Sequence, residues 1–92
     1  MEVLDEEHMS WILFQNTNDM YLSVVCGTVG MFTVEVQLTN SEATSYKSTG
    51  KSYIDQLASS IRAKPDYFTP RKVANFKTKF NVTEALSEWR NS

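Results

Sequence analysis

Ninety-two residues, 41% hydrophobic and 22% charged, make one globular domain able to bury a modest core without metal or disulfide support. No apolar run approaches the roughly 20 residues that cross a bilayer, and a single cysteine, Cys26, excludes an intrachain disulfide and a cysteine metal site. The acidic start (Glu2, Asp5, Glu6, Glu7) is the reverse of a basic signal peptide, so the cytosol is the expected compartment.

The net charge of −2 conceals a segregation. Residues 1–61 hold eight acids against Lys47 and Lys51, a balance of −6. Residues 62–79 hold Arg62, Lys64, Arg71, Lys72, Lys77 and Lys79 against Asp66, a balance of +5. Such asymmetry points to surfaces of opposite sign, unless folding scatters the charges again.

Residues 1–9 read as an acidic arm without a clear period. Trp11-Ile12-Leu13-Phe14-Gln15 is a first strand whose continuous apolar character leaves its core-facing side undecided. Asn16-Thr17-Asn18-Asp19 is a cluster of turn formers leading to a second strand, Tyr21 to Cys26. The third strand, from Phe32, follows Gly27-Thr28-Val29-Gly30-Met31. A two-residue loop at Thr28-Val29 would place Glu35 and Thr33 on the same face as Leu22, Val24 and Cys26. A five-residue loop instead sets Cys26 opposite Phe32, Val24 opposite Val34 and Leu22 opposite Val36. One face is then apolar, and the other carries Tyr21, Ser23, Val25, Thr33, Glu35 and Gln37. Side chains alternate with period two, so a one-residue slip exchanges the faces; the longer loop is the expected one.

Thr39-Asn40-Ser41-Glu42 fits a capping box. Ala43, Tyr46, Gly50, Tyr53, Ile54, Leu57, Ala58 and Ile61 then recur at helical spacing, ending before Pro65. Gly50 on that stripe fits either a close approach to the sheet or a break between two shorter helices. Residues 70–80 allow two readings. Thr69-Pro70 opens a helix carrying Val73, Phe76 and Phe80, or Ala74, Phe76, Thr78 and Phe80 alternate in a fourth strand with a basic face. Asn81-Val82-Thr83-Glu84 caps a short C-terminal helix with Val82, Ala85, Leu86 and Trp89 as its stripe. The expected fold is α+β: an antiparallel meander of three or four strands on one long helix, with a short C-terminal helix.

Catalytic groups are scarce. His8, the only histidine, lies in the arm, and Cys26 falls on the expected core face. Gly27-Thr28-Val29-Gly30 lacks the Lys-Ser/Thr of a phosphate loop and leads into a strand, so it reads as a turn. The arm acids match no calcium-loop spacing. No cofactor, metal or enzymatic activity is expected. Arg71, Lys72, Lys77 and Lys79 interleave with aromatic residues and form an alternative nucleic-acid surface, which the acidic remainder and a pI of about 5.3 disfavour. Protein binding is the stronger reading. Tyr21, Glu35 and Gln37 on a polar sheet face, beside Asp5, Glu6, Glu7 and Asp19, offer an aromatic anchor ringed by negative charge. That face would equally suit solvent, the N-terminal segment or a second copy in a homodimer.

The sequence also resembles small bacterial toxin-immunity proteins of the contact-dependent growth inhibition type. Tyr21 to Gly30, Tyr53-Ile54-Asp55-Gln56-Leu57-Ala58, Ile61-Arg62 and Pro65 to Arg71 carry the resemblance. It implies a cytoplasmic, non-catalytic inhibitor whose partner is a cognate toxin, commonly a nuclease with a basic substrate surface. Asp5, Glu6, Glu7, Asp19 and Glu35, with Tyr21 as anchor, would then meet that surface.

Overall fold

The computed structural model describes residues 2–7, 10–26, 32–73, 76, 80 and 82–91. Four strands, β1 (Glu2–Glu7), β2 (Trp11–Asn16), β3 (Asp19–Cys26) and β4 (Phe32–Gln37), form an antiparallel meander in the order β1-β2-β3-β4. Helices α1 (Asn40–Thr49) and α2 (Lys51–Ala63) follow, then a 3-10 helix (Pro65–Arg71) and a C-terminal helix α3 (Val82–Asn91). The fold is α+β.

Cys26 pairs with Phe32, Val24 with Val34 and Leu22 with Val36, the register of the five-residue connection. Leu22, Val24, Cys26, Val34 and Val36 are accordingly buried, and Ile54, Leu57, Ala58 and Ile61 of α2 pack on them. Trp11 and Leu13 join this core from β2, and the Trp11 indole donates to Asp55 Oδ1 at 2.8 Å.

The opposite face is covered as well, over part of its area. Phe14 and Tyr21 lie on the opposite side and are covered by Phe76, Val82 and Ala85 in a second core. Tyr21 packs against Phe76 and Phe80 in tilted ring contacts, with centroids 5.7 and 4.9 Å away. The unbroken apolar run of β2 thus reflects burial on both sides, as in sheets covered on each face. Tyr21, expected as an exposed anchor, is a core residue, since its ring adds to apolar burial wherever a cover supplies partners.

Two other expectations change. Within the expected arm, Glu2–Glu7 form the outer strand, held by Val3 against Phe14 and Glu7 against Trp11, with a bulge between Val3 and Asp5. The expected long helix is two, broken at Gly50, whose φ of 85° lies in the left-handed region that glycine tolerates. A Cβ there would meet nothing within 4 Å, so Gly50 serves the break and no close approach to the sheet. The capping box holds: Glu42 N–H donates to Thr39 Oγ1 at 3.2 Å and Thr39 N–H to Glu42 Oε1 at 2.8 Å.

Beyond α2 the chain runs along the outer edge of β4. Lys72 bridges Val36, and Val73 N–H donates to the Glu35 carbonyl at 2.8 Å. Phe80 N–H then donates to the Phe76 carbonyl at 3.0 Å, so Phe76 and Phe80 follow the helical reading of 70–80. Ala74, Lys77, Thr78, Lys79 and Asn81 lie outside the described residues, as do His8 and Gly27 to Met31. Among the described residues no helix is long and apolar enough to cross a membrane.

The turn between β2 and β3 leaves Thr17 and Asn18 unpaired between Asn16 and Asp19, with Thr17 at φ 60°. A β-branched residue is strained there. Thr17→Gly should therefore stabilise the domain by about 1 kcal/mol and raise Tm by roughly 4–8 °C. Thermal unfolding followed by circular dichroism checks this, and an unchanged or lower Tm refutes the strain.

Candidate functional site

Alternation along β1 separates the acids expected to act together. Asp5 and Glu7 pair with Leu13 and Trp11 and so face α2, whereas Glu6 pairs with Ile12 and faces α3. Glu7 is salt-bridged to Lys51 at 2.7 Å. Asp5 Oδ1 accepts the Glu6 N–H at 2.9 Å. Asp19 is exposed beside the β2–β3 turn, at the opposite end of the sheet from Glu7. Gln37 is exposed, and its carbonyl accepts from Arg71 at 3.0 Å. Burial raises the Tyr21 phenol above its usual range, and Asp19 adds to the shift.

What the register does bring together is a row across the α3-facing side of the sheet: Glu6, Ile12, Ser23 and Glu35. Glu6 Oε1 accepts the Trp89 indole N–H at 2.9 Å, and Glu35 Oε2 accepts the Ser23 hydroxyl at 2.8 Å. Helix α3 adds a margin to this row. Glu2, Val3, Ala85, Glu88 and Trp89 line a shallow hollow where α3 crosses β1. Glu88 and Trp89 were missed in the sequence, where Trp89 reads as the end of an apolar stripe. Packing settles the matter: Val82 and Ala85 are buried, while Trp89 keeps 36% of its surface exposed.

Arg62 and Arg71 of the basic region are engaged within the fold. The Arg62 guanidinium donates to the Val25 carbonyl at 2.9 Å and to Ser10 Oγ at 2.8 Å, tying α2 to the ends of β2 and β3. Arg71 grips Glu42 through both terminal nitrogens and lies 5.5 Å from the Phe68 ring. It thus acts as a strut between the 3-10 helix, α1 and the end of β4. Lys72 is exposed at the β4 edge; Lys77 and Lys79 lie outside the described residues.

Cys26 is buried, and burial pushes its thiol up more than Arg62 and Lys72 pull it down. A thiol so placed is a poor nucleophile. Among the described residues no group of three or more His, Cys, Asp or Glu side chains is arranged to hold a metal ion. No family model, curated protein or solved structure gives a significant match to this chain.

Glu42 is engaged from two sides, by Arg71 and by Thr39. Burial pushes its carboxyl up, but bonds from Arg71 and from the Thr39 backbone and hydroxyl outweigh that and hold it below the usual carboxylate range. A depressed folded-state pKa stabilises above the unfolded value and is lost as pH falls through the folded one. Arg71→Ala should cost about 2 kcal/mol near neutrality. The Tm gap between the wild type and Glu42→Gln should narrow as pH drops below about 4.3. Parallel melts at stepped pH test this, and a gap that stays constant into acid contradicts it.

Proposed function

We propose that this chain is a non-catalytic immunity protein that binds a cognate bacterial toxin, a nuclease, and neutralises it by occupying its basic substrate surface. The observation that carries the reading is the margin of β1 and α3. There Glu2, Glu6 and Glu88 surround the half-exposed Trp89. Tryptophan is among the residues that dominate interface energies. Carboxylates around it match a basic partner in sign, which speeds encounter and excludes acidic competitors. A nuclease must hold phosphates on cationic side chains, so an acidic protein can compete for the same groups. The resemblance to immunity proteins of contact-dependent growth inhibition supplies the class of partner; the margin supplies a place for it.

This assignment moves the anchor from Tyr21 to Trp89 and keeps Glu6 from the acids read in the sequence. Co-expression and co-purification with the nuclease encoded beside its gene, followed by a DNA- or RNA-protection assay, tests the function. Stoichiometric protection is expected, with complex formation that weakens as salt rises. Trp89→Ala should cost about 2 kcal/mol of binding, and Glu2→Gln with Glu88→Gln should slow association. Full protection by the triple variant would sink the surface. Failure of the intact protein to bind the toxin would sink the toxin reading.

A further inference from the structure

Beside the acidic margin, a groove of about 250 Å³ opens between α3 and the β2–β3–β4 face. Ile12, Val25, Val82 and Leu86 give it apolar walls, while Glu6 and Arg90 stand at its rim. It lies beside the part of this face that α3 packs on. Val82 and Ala85 close over Val3, Phe14 and Tyr21, and the next row along the strands, Glu6–Ile12–Ser23–Glu35, is left partly open. Its volume falls below the roughly 300–1,000 Å³ of pockets for cofactors and drug-sized ligands.

The row decides what the groove suits. Its two ends are carboxylates about 14 Å apart along the sheet, three strand spacings of about 4.8 Å. Each accepts one hydrogen bond from a described residue, Trp89 on Glu6 and Ser23 on Glu35. A carboxylate offers about four lone-pair sites, so each retains capacity for another donor. Between them the floor is the side chain of Ile12 and the Ser23 hydroxyl. An apolar groove with the Glu6 carboxylate in its lining, and Glu35 beyond it along the same row, matches a side chain with a long aliphatic stem and a cationic head.

We propose that this groove receives one arginine or lysine side chain of the partner protein, its stem on Ile12, Val25 and Leu86 and its charged head at the Glu6 carboxylate. The proposal rests on the partner-binding reading and adds to it a specific socket. Glu35 attracts the incoming charge from the far end of the row. Arg90 opposes it, because it stands at the same rim with the same sign. An anionic ligand would reverse both effects, so the three charges distinguish the alternatives.

The experiment is an amide-resolved NMR titration of the intact protein with N-acetyl-arginine amide in about 0.15 M salt, where exposed charges are strongly screened. N-acetyl-norleucine amide is the uncharged control. Shifts should centre on Ile12, Ser23, Val25 and Leu86, and norleucine should bind distinctly more weakly. Glu6→Gln, whose amide oxygen can still accept from Trp89, should weaken arginine binding roughly tenfold, the loss of one charge-assisted contact. Glu35→Gln should weaken it less, and Arg90→Gln should tighten it. The socket is overturned by shifts spread over Asp19 and other exposed acids, by equal binding of norleucine, or by weaker binding in Arg90→Gln. Arginine uptake with these signs supports the socket even if the nuclease is not inhibited, so the two proposals fail separately.

Discussion

The central strands β2 and β3 present apolar side chains to both faces of the sheet, and neither face can be left to water. Trp11, Leu13, Leu22 and Val24 point one way; Phe14 and Tyr21 point the other. Each large apolar side chain left exposed would forgo about 1.5–3 kcal/mol of burial. Two covers are therefore required. Helix α2 supplies the first, and the segment from Phe76 through α3 supplies the second. The chain must pass from one face to the other to do so, and it crosses along the β4 edge.

That crossing gives Arg62 and Arg71 their places. Arg62 fastens the end of α2 to Val25 and Ser10 before the crossing begins. Arg71 fastens the crossing itself to Glu42 and to the Gln37 carbonyl, and Val73 bonds Glu35 along the same edge. The crossing segment also shields β4, whose open backbone groups would otherwise invite pairing with another chain. Two cations of the basic segment, Arg62 and Arg71, thus join elements. The capping box of α1 is drawn into the same network, because the Glu42 that caps the helix also receives Arg71.

The acids have the complementary fate. β1 is the sheet's other edge, and its Asp5, Glu6 and Glu7 alternate between the two faces. Charge on an edge strand discourages indiscriminate pairing. On the α3 side the same charge stands beside Trp89 and an apolar groove.

Much of the fold was legible locally. The Thr39–Glu42 cap depends on four consecutive residues, and the β3–β4 register on period-two alternation that the five-residue loop satisfies and the two-residue loop does not. Both are short-range constraints, so sequence determines them. Tyr21 and Trp89 show what sequence could not determine. Each is an aromatic residue in an amphipathic element, and each was assigned the environment the other has. Tyr21 is buried because Phe76 and Phe80, more than fifty residues later in the chain, return to cover it. Trp89 is half-exposed because α3 finishes over the sheet's edge strand. Likewise, Glu2–Glu7 have no strand pattern of their own and become β1 by pairing with β2. Local periodicity determined the elements and their register; only the tertiary structure decided which faces stayed open, because burial depends on what returns from a distance.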